Sequence, residues 1–342
     1  MPSKFSLMRS IVRVILFVVA ILFAAIAGTG TYAYHWARAP IGAREGITEV
    51  EIRPGSSVRS AAKQLRNGGI PIHEDAFVLL MRVHGDNATL KAGVYEIGPT
   101  ESPLDILDKL VRGDAILSEI RFVEGWTFRQ YRKAIEEHPD LIKESSGLSE
   151  RELLSKIGAT EQHAEGLFYP DTYRFSRGTP DITVLRRAYK SMQAHLLAAW
   201  GDRHATSPLT SPHDVLVMAS IIEKETGRGE DRGLIGAVFS NRLRIGMRLQ
   251  ADPTVIYGIG PDFDGNLRRK DLQHDTPYNT YTRTGLPPTP IAMPGLASLR
   301  AAVQPAQSDV LYFVAKGDGT SQFSKTLVEH NQAVARYQRN GG

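Results

Sequence analysis

The stretch TEVEIRPGSSVRSAAKQLRNGG, residues 48–69, decides the fold class because a strand, a turn and a helix follow one another in it. Its first five residues are predicted to form a short strand, and Pro54-Gly55 is a turn signal. Ser56 or Ser57 can cap the helix that follows, and Gly68-Gly69 can end it. A strand that leads directly into a helix indicates a mixed α+β protein.

A related pattern recurs 45 residues further on, in VYEIGPTESPLDILDKLVRGD, residues 94–114. Six identities lie at this offset: Glu51/Glu96, Ile52/Ile97, Pro54/Pro99, Ser57/Ser102, Leu65/Leu110 and Gly68/Gly113. Residues 74–85 are predicted to form a helix between the two copies. The alternating segment SEIRFVEG, residues 118–125, is predicted to close the module as a strand. The repeat therefore indicates one small α+β module, with predicted bounds 47–125.

Towards the N-terminus lies an uncharged, apolar run of 21 residues, Val14–Tyr34. A helix of that length can cross about 30 Å of hydrocarbon at about 1.5 Å per residue. Three basic residues precede the run, so the positive-inside tendency places residues 1–13 in the cytoplasm and the rest of the chain outside. Residues 35–46 are predicted to be a linker. A cleaved signal peptide is the alternative reading, because Ala25–Ala27 has the small-x-small form, but apolar residues continue past it.

Composition excludes several kinds of chemistry. The chain has 342 residues and no cysteine, so disulfides, thiol nucleophiles and zinc–thiolate sites are excluded. Its ten histidines include no i, i+4 pair, and we expect neither a metal site nor a cofactor. The net charge of +4 comes without a dense Lys/Arg run, so nucleic acid is not an expected partner. An anionic surface or an acidic polymer is compatible with that charge.

Residues 126–342 contain the signals of a larger α+β domain. The predicted helices have an apolar face at helical spacing or a capping residue, and they cover 128–138, 183–200, 212–226, 235–246 and 327–338. Thr127 and Thr326 are the predicted caps of the first and the last helix. Leu249–Pro294 is a long irregular region rich in hydrogen-bonding residues, and such regions inside compact domains are often functional. Residues 309–326 are predicted to form a hairpin.

The helix that starts after Ser211 is apolar almost throughout and then ends in two carboxylates, Glu223 and Glu225. Seven of the eight residues Val215–Ile222 are apolar or Ala. A buried carboxylate is costly unless it is paired, neutralised or used. The end of this helix is therefore the first place to look for chemistry.

Glu223 and Glu225 lie about 200° apart around the helix axis, and both faces are mostly apolar. At least one of the two must therefore be desolvated or lie in a cleft. Desolvation raises the pKa of a carboxyl group and keeps it protonated near neutral pH, as a general acid requires. In the alternative interpretation, both glutamates simply end a core helix and pair with Lys224, Arg228 or Arg232.

Two segments combine flat aromatic faces with hydrogen-bonding groups: EGLFYPDTYRF, residues 165–175, and YNTY, residues 278–281. Sugar rings present apolar C–H faces and a rim of hydroxyl groups, so a carbohydrate cleft needs both kinds of partner. The alternative is ordinary packing around loops. From the residues alone, both interpretations stay open.

Five segments taken together resemble a known family. EGLFYPDTY, ASIIEKET, VFSNRLRIGMRLQADPTVIYG, YNTYTRTGLPPTPIAMPG and LYFVAKGDGTSQFSKTLVEHN occur in this order. They are similar to the MltG/YceG-like endolytic murein transglycosylases, which are bacterial inner-membrane proteins. The resemblance runs from the apolar run to the final helix, and it is looser over the first module. That module resembles the LysM-like subdomain of the family, a fold associated with peptidoglycan binding.

The resemblance implies an activity: non-hydrolytic cleavage of the MurNAc–GlcNAc β-1,4 bond within nascent glycan strands, which leaves 1,6-anhydro-MurNAc ends. Glu223 matches the family's catalytic glutamate and would act first as general acid and then as base. Glu225 would serve orientation or electrostatics. The remaining candidates lie in matching motifs and would hold the substrate: Asn241, Gln250, Asp252, Thr254, Tyr278, Asn279, Thr280, Tyr281, Gly285, Leu286, Pro287 and Pro288.

The resemblance also implies a location and partners. It predicts a single-pass protein of the bacterial inner membrane, with a catalytic domain at 126–342 in the periplasm and peptidoglycan synthases as possible partners. Two other functions stay open. One is a non-catalytic, membrane-anchored peptidoglycan-binding scaffold. The other is a true hydrolase that uses Glu223 together with Asp252 or Glu225 as the second carboxylate.

Overall fold

The computed structural model describes residues 4–42, 46–84 and 89–339. The protein is mixed α+β, as predicted, and its chain divides into two compact units. The first unit comprises Met1–Ser118 and Ser176–Gly178, and the second comprises Glu119–Phe175 and Thr179–Gly342. Residues 119–125, assigned to the first module from the sequence, thus group with the second unit.

The N-terminal helix α1 spans Lys4–Arg38 and contains the whole predicted apolar run. It extends into the segment predicted as a linker. Within Arg13–Arg38, the most apolar stretch of 18 residues has a mean hydropathy of 2.5, and none of its residues is buried. The hydroxyl groups of Thr29 and Thr31 donate to carbonyl groups one turn earlier, as in apolar helices without other partners. By length and composition, α1 can cross a membrane.

The first unit contains the predicted strand–helix repeat. Its further elements are β1 (Thr48–Ile52), α2 (Val58–Asn67), α3 (Glu74–His84), β2 (Gly93–Ile97) and α4 (Pro103–Arg112). Strands β1 and β2 pair antiparallel, with Ile52 opposite Gly93, so the two copies share one sheet. Ser57 and Ser102 cap α2 and α4 through their side-chain oxygens, which confirms Ser57 as the cap. Buried apolar side chains of both copies form one core.

The strand predicted to close this module does form, as β3 (Leu117–Arg121), but most of it groups with the second unit. It pairs with β5 (Thr172–Ser176) and not with β1 or β2. The alternation turns Ile120 and the following Phe122 into the core of the second unit, where Phe122 stacks on Tyr131 at 4.2 Å. Burial of these aromatic rings fixes the partner of β3, and a local pattern does not contain that information.

The second unit is largely helical. Before the candidate site it contains α5 (Phe128–Glu137), β4 (Leu141–Ile142), α6 (Glu150–Ile157), β6 (Thr179–Pro180) and α7 (Asp181–Gly201). After them come α8 (Pro212–Glu225), α9 (Gly229–Arg244), α10 (Asp252–Ile259), α11 (Arg269–Gln273), α12 (Leu296–Val303), β7 (Tyr312–Ala315), β8 (Ser321–Ser324) and α13 (Leu327–Val334). Short 3₁₀ and π turns follow α10 and α13.

Helix α8 lies at the centre of this unit. All eight residues Val215–Ile222 are buried, and α8 packs against α7, α9, α10 and α12. Ser211 and Asp214 form a capping box at its start. The helix ends at Glu225, one residue before the predicted end at 226. Glu223 and Glu225 therefore lie at the end of a helix that is held in the core of the second unit.

Candidate active site

Glu223 lies in the last turn of α8, and its side chain is only 6% exposed. Arg232, from α9, donates to Oε1 at 3.3 Å and forms an ion pair. The backbone N–H of Gly295, just before α12, donates to Oε2 at 2.9 Å. Of the cationic partners considered from the sequence, Arg232 is thus the one that pairs with Glu223.

A second carboxylate, Glu124, lies beside Glu223 and was not among the predicted site residues. A methyl group built on Gly295 would lie 1.8 Å from Oε1 of Glu124, so this carboxylate lies directly against the glycine. Two backbone hydrogen bonds hold the segments together: Gly125 N–H donates to Met293 O at 2.9 Å, and Met293 N–H donates to the carbonyl of residue 126 at 2.8 Å. Partial burial and the charge of Glu223 raise the pKa of Glu124, and Arg232 opposes this.

Glu225 belongs to a different cluster at the end of α8. Burial and the charge of Asp252 raise the pKa of Glu225 to about 8, and Arg242 opposes the shift. The hydroxyl group of Tyr281 donates to Oδ1 of Asp252. Three predicted site residues, Glu225, Asp252 and Tyr281, are therefore brought together, next to Arg242 and apart from the Glu223 cluster.

Three predicted substrate-binding residues lie inside the protein. Thr254, Asn279 and Thr280 are 0–2% exposed. The hydroxyl groups of Thr254 and Thr280 are 2.9 Å apart, and the Asn279 amide donates to three backbone carbonyls of 271–274. In this structure these side chains hold the irregular region in place, and a direct contact with sugar stays a prediction.

Gln250 and Tyr278 are nearer to solvent. Gln250 is exposed, has a left-handed backbone with φ 49°, and donates its N–H to Thr280 O at 3.1 Å. Tyr278 is half-buried, and its hydroxyl group is 2.8 Å from that of Thr289. Its ring meets Tyr257 edge to face at 5.0 Å. The two rings are inclined at 62° to each other, and both hydroxyl groups are hydrogen-bonded within the protein. A contact of Tyr278 with sugar stays a prediction.

The remaining predicted substrate-binding residues are Asn241 and the segment GLPP, residues 285–288. The Asn241 amide donates to the carbonyls of Ser308 and Val310, both at 2.9 Å, so it is used within the fold. Gly285 has a φ of 84°, which glycine adopts without strain. The other members of the segment differ in environment: Leu286 packs on the core, Pro287 is buried and Pro288 is exposed.

Glu165 is a buried carboxyl group at the start of the aromatic segment 165–175, and it was not predicted to be a site residue. Its Oε1 accepts from Phe128 N–H at 2.9 Å, and its Oε2 accepts from the Tyr257 hydroxyl at 3.1 Å. Burial raises the pKa of Glu165 to about 7, although both hydrogen bonds oppose the shift. Glu165 joins α5 to α10 through these two hydrogen bonds.

The sequence placed Glu124 near the end of the predicted strand 118–125, and nothing in its spacing singled it out. Glu124 precedes Gly125, which has a φ of 76°, and lies between the end of β3 and the capped start of α5. Its proximity to Glu223 could not be read from spacing, because the contact joins segments about a hundred residues apart and depends on a third segment at Gly295.

The α+β scaffold and these side chains define a class: a protein with a carboxyl-centred candidate active site suited to acid–base chemistry. In the described ranges, no group of three or more His, Cys, Asp or Glu could hold a metal ion. Residues 50–336 match the profile of the YceG-like family, and the chain belongs to that family.

Relatives and a solved structure agree with this assignment. The chain is 34% identical over 307 residues to an endolytic murein transglycosylase of Bacillus subtilis, covering 84% of each chain. It is 26% identical over 323 residues to an endolytic murein transglycosylase of Streptococcus pneumoniae, covering 84% of this chain and 58% of that one. A YceG-like protein of Listeria monocytogenes has a similar structure, with a TM-score of 0.53 and 31% identity over 84% of this chain and 99% of that one.

Proposed function

We propose that this protein is a membrane-anchored, endolytic peptidoglycan lytic transglycosylase, and hence a lyase. Its membership in the YceG-like family and relatives that carry this name support the activity. The observation that carries the proposal is the carboxylate of Glu223, which is 6% exposed and is held between Arg232 and the N–H of Gly295. One such group can serve as acid and then as base in the same reaction.

In the proposed mechanism, protonated Glu223 donates its proton to the glycosidic oxygen as the bond from that oxygen to the anomeric carbon breaks. The MurNAc ring passes through an oxocarbenium-like state. The 6-hydroxyl oxygen of the same MurNAc then bonds to the anomeric carbon, and its proton returns to Glu223. Between the two transfers Glu223 is a carboxylate, and Arg232 and the Gly295 N–H stabilise its charge.

The glycan strand would lie along the face that carries Tyr278, Tyr281 and Asp252. Aromatic rings can stack on the sugar C–H faces, and the hydroxyl and carboxylate groups can bind sugar hydroxyls. Glu225, which holds a proton at neutral pH because of its raised pKa, is a hydrogen-bond donor to that strand or to Asp252. The buried residues Thr254, Asn279 and Thr280 would act indirectly by fixing the shape of this face.

The proposed location follows from α1. An apolar run that can cross a membrane, preceded by basic residues, favours a single-pass protein of the inner membrane with its N-terminus in the cytoplasm and its second unit in the periplasm. The first unit, with its antiparallel strand pair and capped helices, would be the LysM-like peptidoglycan-binding module. This arrangement would bring the site close to newly made strands and to the synthases that make them.

The test uses the full chain in detergent with uncrosslinked glycan strands, and mass spectrometry of the product ends. Anhydro ends from the wild type, with at least about a hundredfold loss in Glu223→Gln, are expected from the role of a general acid. Glu136→Gln is the matched control, because Glu136 is exposed on α5. Reducing ends would identify a hydrolase. Binding without cleavage by any variant would identify a scaffold.

A further inference from the structure

A cavity of about 250 Å³ lies in the second unit, away from Glu223. Its walls come from the loop 204–208, the C-terminal half of α9 and the loop 305–308. The loop 204–208 leads towards the start of α8, whereas Glu223 lies in the last turn of that helix. Since α8 has 14 residues, the cavity and Glu223 are on the order of 20 Å apart. The cavity is therefore distinct from the candidate active site.

The cavity is lined by a cation that has no anionic partner. Two neutral oxygens hold the guanidinium group of Arg244: Asn241 Oδ1 accepts at 2.7 Å, and Thr206 O accepts at 3.5 Å. His204 is a second basic residue of the lining. Within the ranges 4–42, 46–84 and 89–339, no Asp or Glu side chain lines this cavity. Its charge therefore favours an anionic ligand.

Two acids flank the walls in sequence, and neither supplies the missing counter-charge. Asp309 pairs with Lys325 at 2.9 Å. Asp202 is exposed, lies outside the lining and directly precedes Arg203. A carboxylate that enters the cavity would thus form a charge-assisted hydrogen bond to an arginine that is already held in place.

The rest of the lining supplies a free hydroxyl group and small apolar side chains. Ser240, on α9, is 1% exposed, and its hydroxyl group has no hydrogen-bond partner in the described part of the chain. A buried polar group without a partner is costly, so a ligand that accepts from it would stabilise the site. Ala237, Pro305 and Ala306 line the same cavity. A volume of about 250 Å³ between such side chains suits a small ligand group such as a methyl.

We propose that this cavity binds the carboxyl terminus of a peptidoglycan stem peptide that ends in alanine. The carboxylate would accept from Arg244 and Ser240, and the methyl group would pack against Ala237 and Pro305. This inference rests on the proposed function, because stem peptides branch from MurNAc in the proposed substrate. The buried helix α8 separates the cavity from Glu223, so the bound stem branches from a sugar other than the one that is cleaved. The cavity adds affinity for strands with intact stems and takes no part in the cleavage.

The first experiment measures binding without cleavage. N-acetyl-D-Ala-D-Ala is titrated into the full chain in detergent, and saturation-transfer difference NMR follows its methyl signals. We expect saturable binding by the wild type and at least about tenfold weaker binding by Arg244→Gln, because a charge-assisted hydrogen bond is lost. The C-terminal amide of the peptide should bind the wild type about as weakly. Arg187→Gln is the matched control, since Arg187 is exposed and donates to the carbonyl of Arg174 at 2.7 Å, outside the cavity.

A second variant separates a role in binding from a role in folding. The Ser240 hydroxyl has no partner among the described residues, so Ser240→Ala should not lower the temperature of thermal unfolding. Its affinity for the peptide should fall about fivefold, because the ligand loses a hydrogen bond. The control Arg187→Gln should keep the wild-type affinity.

The second experiment measures cleavage, with anhydro ends as the product. The substrates are glycan strands with their stem peptides and the same strands after an amidase has removed the stems. Arg244→Gln should raise KM for the stem-bearing strands about tenfold and leave kcat unchanged, because the contact is the same in the ground state and the transition state. On stem-free strands, Arg244→Gln and the wild type should have the same KM.

Four results would overturn the inference while anhydro ends from the wild type keep the proposed function. They are wild-type affinity for the peptide in Arg244→Gln or Ser240→Ala, equal binding of the peptide and its amide, displacement of the peptide by an equal concentration of inorganic phosphate, and a rise in KM that persists on stem-free strands. The third would identify a general anion site. If the wild type forms no anhydro ends, the proposed function falls, and the peptide titration alone decides whether the cavity binds a carboxylate.

Discussion

Glu223 and Glu225 are two residues apart at the end of α8, yet their environments differ. Glu223 is compensated by Arg232 and a backbone N–H. Glu225 has the carboxylate of Asp252 nearby and Arg242 as the opposing charge. A helix turns about 100° per residue, so neighbouring acids reach opposite sides of the same turn. Burial and the charge of Asp252 favour the protonated form of Glu225.

The raised pKa of Glu225 predicts a dependence of stability on pH. Its pKa rises from the ordinary 4.5 to about 8, so in between the folded state holds a proton that the unfolded state has lost. The contribution of Glu225 to the free energy of unfolding therefore falls as pH rises from about 5 to 8, and stays constant above that. Glu225→Gln should remove this fall. The measurement is urea unfolding of variant and wild type at both pH values.

The exposed variant Glu136→Gln is the control, and it should run parallel to the wild type at both pH values. An equal loss of stability between pH 5 and pH 8 in Glu225→Gln and the wild type would show that Glu225 is charged throughout. In that case its role as a hydrogen-bond donor at neutral pH would be lost from the mechanism.

For individual residues, the sequence predicts those interactions that form between residues close together in the chain. The capping pairs Ser211/Asp214 and Thr326/Glu329 are present, because each joins residues three apart. Glu124 was missed, because its place beside Glu223 depends on Gly295, a residue distant from both. The pairing of Asn279 with backbone carbonyls likewise depends on the path of an irregular loop.

Among the elements, α8 is the one that connects the core to the site. Ser220 of α8 is fully buried, and its hydroxyl group donates to Val217 O at 2.7 Å and accepts from Ile291 N–H at 3.0 Å. The second bond fixes the chain that leads from Ile291 to Gly295. Since Gly295 contacts both carboxyl groups, the position of this segment affects the chemistry directly.

Two buried serines of the second unit provide a matched test of that connection. Ser220→Ala leaves the Ile291 N–H without a partner, which should cost about 1–3 kcal/mol of the free energy of unfolding and lower kcat. Ser298, in α12, is equally buried, but its hydroxyl group has no hydrogen-bond partner among the described residues. Ser298→Ala should therefore change stability by less than about 0.5 kcal/mol, or increase it. Equal costs in urea unfolding would show that the Ser220 bond does not hold this segment.

The elements themselves were predictable where a periodic pattern or a cap marks them, as in α2, α5, α8 and the β7–β8 hairpin. The partner of β3 was not predictable from a local pattern. The pairing of β3 with β5 depends on the burial of Phe122 and Tyr173, which are distant from each other in the sequence. The irregular region also contains helices α10 and α11, which the abundance of turn-forming residues concealed.

At the scale of the whole molecule, α1 predicts where the enzyme acts. The full chain should stay in the membrane fraction after alkaline extraction, and its intact mass should include residues 1–38, because the apolar run continues past the possible cleavage site. Phe17→Arg with Leu22→Arg should release it, since each arginine costs about 3 kcal/mol in the bilayer centre. Phe17→Leu with Leu22→Ile is the control, and should stay in the membrane.

Protease added outside spheroplasts should digest the second unit of the wild type. Protection from that protease would reverse the orientation and separate the site from peptidoglycan.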